Sequence, residues 1–166
     1  EIPDPGPGQI LVRVNLISLD PAMRGWLNDV RSYIPPVGIG DVMRALGAGE
    51  VIASEHPDFA VGDRVTGSFG VCEYALSDGK GVDRIDTDIA PMGTWLGALG
   101  MPGMTAYTGL LEIGRPQPKE TVVVAAAAGP VGSLVGQIAR IKGARAVGIA
   151  GGAEKCAYLT ETLGFD

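Results

Sequence analysis

The sequence is short of the residues that most often do chemistry at a protein surface. Of its 166 residues 19% are charged and 5% aromatic, with one histidine and two cysteines. Cys72 and Cys156 stand far apart and form neither a metal-binding pair nor a disulfide framework; scarce cysteine of this kind fits a reducing, cytoplasmic setting. The net charge of −6 argues against nucleic acid as a main partner, because phosphate binding needs a basic face. No apolar run approaches the ~18 residues of a membrane span, so no membrane partner is expected. The chain does not open on methionine, no signal peptide precedes Glu1, and it reads as a piece of something longer. What it has in quantity is glycine, 26 residues beside 12 prolines. No collagen repeat orders them, so they serve turns and close backbone contacts.

Pattern divides the chain in two. In the first part, Gln9–Leu19 (QILVRVNLISL) places Ile10, Val12, Val14 and Leu16 on one face of a strand. Pro21 breaks it. A long Pro- and Gly-rich loop spans Asn28–Gly40, and long loops in compact domains are often functional. Short strands return at Leu46–Ser54, Arg64–Gly67 and Cys72–Leu76, separated by turn residues. The acidic stretch Asp83–Pro91 reads as a boundary, giving domains over residues 1–90 and 91–166.

Beyond it, Thr105–Ile113 has helical spacing, with Tyr107, Leu110 and Leu111 inward and Gly114 as the cap. Thr121–Ala126 (TVVVAA) is an unbroken apolar run, the pattern of a parallel strand covered on both faces. A helix over Gly129–Lys142, a strand over Arg145–Ala150 and a helix over Glu154–Leu163 follow. The expected fold class is α/β: a β domain, then the first half of a doubly wound parallel sheet. Two strands are few for a sheet that averages about five or six.

The loop between the first parallel strand and its helix carries the sharpest signal. Ala127-Ala128-Gly129-Pro130-Val131-Gly132 matches the dinucleotide fingerprint, with Ala127 where the first glycine usually stands. Gly129 lets the backbone approach a pyrophosphate, and Gly132 lets the helix pack against the strand. Pro130 and Val131 complete a helix start whose free amides favour phosphate. A ligand-free strand-to-helix turn is the plain alternative. At the end of the second strand, Gly151-Gly152-Ala153-Glu154-Lys155 lacks the acid that would hold a ribose 2′-hydroxyl in NAD sites. Gly151 and Gly152 leave room for a 2′-phosphate and Lys155 offers it a charge. NADP is therefore the expected cofactor, with Glu154 serving its helix dipole.

These residues resemble a known family. Gly47-Ala48-Gly49-Glu50-Val51 and Phe59-Ala60-Val61-Gly62-Asp63-Arg64-Val65 look like the GroES-like β domain of medium-chain dehydrogenases/reductases. Leu19-Asp20-Pro21-Ala22-Met23-Arg24-Gly25, Leu76–Lys80, Gly100–Tyr107 (GMPGMTAY), Ala126–Arg140 and Gly148–Cys156 resemble its zinc-free prostaglandin reductase and alkenal double-bond reductase branch. The Tyr33-Ile34-Pro35-Pro36-Val37-Gly38 loop is similar to that of bacterial, curcumin reductase-like members.

The resemblance implies an NADPH-dependent enzyme, commonly a homodimer. It would saturate the carbon–carbon bond of a small hydrophobic enal or enone by hydride transfer to the β-carbon. It places Gly129, Pro130, Val131, Gly132 and Lys155 on the NADP phosphates and Met101 and Thr105 at the nicotinamide pocket. The usual catalytic tyrosine is expected outside this chain. Of the tyrosines present, Tyr107 reads as helix core and Tyr74 and Tyr158 as packing, which leaves Tyr33 as the candidate substrate contact. Alanine at position 22 replaces a tyrosine many relatives carry, altering that part of the substrate wall. The zinc-dependent branch needs a Gly-His-Glu motif and often a four-cysteine lobe; His56, before Pro57, cannot supply the first nor two cysteines the second. No metal is expected. A quinone reductase of a neighbouring zinc-free branch and a non-catalytic NADP-binding protein remain the alternatives.

Overall fold

The computed structural model describes residues 2–166. The chain divides into two compact units, Glu1–Leu96 and Gly97–Asp166.

The first unit is an antiparallel sheet of β1 (Ile10–Ile17), β2 (Gly47–Ser54), β3 (Arg64–Gly67), β4 (Tyr74–Ser77) and β5 (Asp83–Arg84), in the order β4-β1-β2-β3-β5. Ile10, Val12, Val51, Val65, Phe69 and Ala75 form its core. The simple alternation expected for β1 does not hold throughout. Ile10, Leu11 and Val12 are all buried, whereas Leu16 is exposed. The register against β2 shifts between Leu11 and Val12 and again between Val14 and Leu16. The first leaves Ile52 of β2 unmatched and the second leaves Asn15 of β1 unmatched, and the inserted Asn15 breaks the period of two along β1.

Pro21 does more than end the strand. Asp20 takes the N-cap position and Pro21 the first position of a short helix, α1 (Pro21–Trp26), where a missing N–H costs nothing. The loop beyond is pinned at its middle. Val37 N–H donates to Trp26 O (2.8 Å), and Arg44 Nη1 donates to Pro35 O (2.9 Å) while lying 5.9 Å from the Trp26 ring centroid. On β2, Glu50 is bridged by Arg64 and Arg13 at 2.5 and 2.6 Å. Hydrogen bonding from Arg64, with the nearby positive charge of both arginines, holds its carboxyl below the usual range.

The second unit contains α2 (Met101–Tyr107), β6 (Thr121–Ala125), α3 (Pro130–Ile141), β7 (Arg145–Ile149) and α4 (Ala153–Ala157). Wider π-type turns extend α2 over Thr108–Gly114 and α4 over Tyr158–Thr162. Strands β6 and β7 pair in parallel from Thr121↔Arg145 to Ala125↔Ile149. Val124 and Ala146 join Ala127, Ala139, Leu159 and Phe165 in the core. The Phe165 ring occupies the space a side chain at Gly136 of α3 would need, and it also flanks Gly148 of β7.

Within these residues the core of the two-stranded sheet lies on one face, and Val123 and Ile149, opposite in phase to Val124, are 61% and 59% exposed on the other. Two expectations are corrected in the helix before it. The helix expected from Thr105 begins at Met101, and Arg115 (φ 48°), not Gly114, adopts the left-handed conformation at its end. Tyr107 is exposed and Leu110 buried, since the change from α to π turns at Thr108 shifts the phase of the inward face.

Candidate functional site

Beyond Ala125 the chain turns sharply through Ala126–Gly129 into α3. Ala126 adopts φ 51°, a left-handed conformation that costs a residue with a side chain about 1–2 kcal/mol. The turn closes when Gly129 N–H donates to Ala126 O (2.9 Å), and Ala127 N–H ties it to β7 by donating to Ile149 O (3.1 Å). Gly129 is extended and caps α3 without any side-chain hydrogen bond, and Pro130 opens the helix. Val131 and Gly132 therefore carry first-turn amides with no acceptor inside the helix, at its positive end. A Cβ on Gly132 would lie 2.5 Å from Ala126 O and 2.8 Å from Ala127 Cα. Helix and strand are that close, so the third fingerprint glycine is a packing requirement.

At the end of β7 the paired glycines separate into two roles. Gly152 stands at the N-cap of α4 with φ 87° and ψ 156°, a region open essentially to glycine alone. Gly151 has no such backbone demand, and a Cβ there would meet nothing within 4 Å. Neither the turn nor the packing explains its missing side chain. Lys155, on α4, is exposed and enters no ion pair among the described residues. Glu154 lies in the first turn of α4, where its charge complements the helix dipole.

Between these segments lies a cavity of about 580 Å³, lined by Ala126, Ala128, Gly129, Ile149, Ala150, Gly151 and Lys155. Its size falls in the range of small-molecule sites, and it lies at the carboxyl ends of the parallel strands, where open α/β sheets bind ligands. It brings together Gly129, Gly151 and Lys155. Pro130, Val131 and Gly132 form the adjoining helix start, and Gly152 holds the turn behind Gly151.

The remaining sequence candidates are not among the residues that line this cavity. Met101 and Thr105 are exposed one turn apart on α2, with Thr105 Oγ1 donating to Met101 O (2.7 Å). Tyr33, in the loop after α1, is 89% exposed. Tyr107, expected in the core, instead lines a second, apolar cavity of about 400 Å³ with Leu99, Met104, Leu134 and Ile138. Four residues that line the dinucleotide-type cavity, Ala126, Ala128, Ile149 and Ala150, are not among the sequence candidates. The signal for Ile149 was its place at the tip of the second strand; for Ala126 there was none, since its side chain is unremarkable and only its backbone is unusual.

The chain is similar to known oxidoreductases. The family pattern described as the N-terminal domain of oxidoreductase matches residues 1–85. NADPH-dependent curcumin reductase of Escherichia coli (strain K12) is 52% identical over 167 residues, an alignment covering 100% of this chain and 48% of the relative. Prostaglandin reductase 1 of Oryctolagus cuniculus is 40% identical over 169 residues, covering 100% and 46%. The crystal structure of CurA in complex with NADPH from Vibrio vulnificus superposes with a TM-score of 0.92 at 48% identity, covering 100% and 49%. The chain spans about half the length of the relatives it matches.

Proposed function

The chain belongs to the medium-chain dehydrogenase/reductase family, and we propose that the protein is an NADPH-dependent reductase of the carbon–carbon double bond in α,β-unsaturated aldehydes or ketones. Residues 1–90 would form the GroES-like substrate domain and 91–166 the first part of the NADP-binding domain. One observation carries the cofactor half of this reading: Gly151, a glycine that neither backbone nor packing requires, shares a cavity with Lys155, which has no ion-pair partner among the described residues. A side chain at 151 would project into the space a 2′-phosphate needs, and the Lys155 ammonium offers that phosphate a counter-charge.

When bound, NADPH supplies a hydride. Gly129 admits the pyrophosphate close to the backbone, and the Val131 and Gly132 amides and the α3 dipole favour its charge. Met101 and Thr105 are assigned to the nicotinamide side and Tyr33 to the substrate. Addition of hydride at the β-carbon moves the π electrons onto the carbonyl oxygen, and the resulting enolate takes a proton at the α-carbon. The oxygen needs hydrogen-bond donors while its charge develops, and we assign them outside these residues. One histidine and two distant cysteines argue for chemistry without zinc. No helix among the described residues is long and apolar enough to cross a membrane; a cytoplasmic location and a homodimer are proposed from the family.

The test is NADPH oxidation by the full-length protein against enals, enones and quinones, with NADH in parallel and the products identified. Saturation of the carbon–carbon bond alone is expected. Turnover restricted to quinones would replace this reading with a quinone reductase. NADPH binding without turnover on any acceptor would leave a binding protein.

A further inference from the structure

We propose that Ala126 is a positioning residue of the dinucleotide cavity, its left-handed backbone turning the chain and its methyl group forming wall against the bound cofactor. The inference rests on the reading of that cavity as the NADPH site. Three observations meet at this residue. Its φ of 51° is one that L side chains resist and glycine adopts freely. Its carbonyl organises the loop, accepting the Gly129 N–H at 2.9 Å and standing where a Cβ on Gly132 would collide with it. Its side chain is exposed and lines the cavity beside Gly129 and Gly151.

That methyl group is exposed and lies outside the hydrophobic core of its unit. If the turn alone set the residue type, glycine would serve with less strain. Strain held at a cavity wall points to a residue kept for what enters the cavity. The left-handed turn throws the side chain of position 126 into the cavity, whereas an ordinary strand continuation would carry it along β6. The same carbonyl takes up the Gly129 amide, which leaves the Val131 and Gly132 amides as the loop's donors to phosphate. Position 126 thereby sets both the direction of the loop's donors and the depth of the cavity.

The proposal separates stability from affinity. In the full-length protein, Ala126→Gly relieves the left-handed alanine and is expected to raise the ligand-free thermal midpoint by about 2–4 °C. The same change removes a methyl contact and is expected to weaken NADPH binding by about threefold to fivefold, read by cofactor fluorescence. Ala126→Asn keeps a residue that tolerates the left-handed region, so its ligand-free midpoint should stay near that of the parent protein. Its larger side chain should weaken NADPH binding by at least about tenfold. Parent-like NADPH affinity in both variants overturns the proposal, and so does an Ala126→Gly midpoint that does not rise. Failure of the unsubstituted protein to bind NADPH overturns the reading of the cavity itself, an outcome distinct from the other two.

Discussion

Charge is handled in opposite ways in the two units. On the antiparallel sheet, acids and bases answer one another: Glu50 sits between Arg13 and Arg64, Asp63 pairs with Arg84, and Asp78 with Lys80. Beside the parallel strands, Lys155 stands at a cavity with no acid paired to it among the described residues. Glycine divides similarly. Gly132 and Gly136 are small because neighbouring atoms take up the space, whereas Gly151 is small beside open space. Groups whose partners lie within the chain explain the fold; at this cavity, an unpaired lysine and a glycine that no neighbour requires stand together, and it is their convergence that points to a ligand.

The contrast breaks most severely at Gly132. Gly132→Val would force α3 away from Ala126 and Ala127, with an expected loss of about 1–3 kcal/mol or more, as for other overpacked sites; chemical denaturation measures it, and NADPH binding should fail with it. Gly151→Asp should leave stability almost untouched, since its Cβ meets open space. It should still reverse the cofactor preference, lowering NADPH affinity by about tenfold or more, as expected for an acid facing a phosphate, while NADH binding improves. Comparative titration of the two nucleotides decides it. Lys155→Ala sharpens the same distinction with a smaller effect, an affinity loss of about fivefold to tenfold for NADPH and little for NADH.

The smallest effect belongs to the paired charges. The carboxyl of Glu50 lies below its ordinary 4.5 in the folded chain, so its contribution is fully present above that value and is lost as pH falls through the lowered one. Glu50→Gln should therefore reduce the thermal midpoint slightly at neutral pH, a difference that closes in acid. Exposed pairs contribute little, and a large drop at neutral pH would show that the triad does more than pair.

Legibility followed the range of the forces involved. The β6–loop–α3 segment could be read because its determinants are local: an apolar run, glycine at the N-cap, proline in the first turn, then an apolar stripe. Gly132 was legible for the same reason. The irregular register of β1 depends on how β2 pairs with it, which no single-strand pattern contains. At the candidate site, Gly129, Gly151 and Lys155 could be named from the sequence, but the division of labour between Gly151 and Gly152 could not. Both are glycine, and only the backbone at Gly152, with φ 87°, separates them.

The seating of Phe165 over Gly136 and against Gly148 bears on how this chain can change over time. A methyl group added at 136 would need the space the ring already occupies, while a smaller residue at 165 would leave a void between α3 and β7. Either change alone is costly, and the two together can offset one another. Positions 136 and 165 are thus expected to vary as a pair among descendants of this sequence, although many residues separate them along the chain. Gly136→Ala accompanied by Phe165→Leu is the combination to look for.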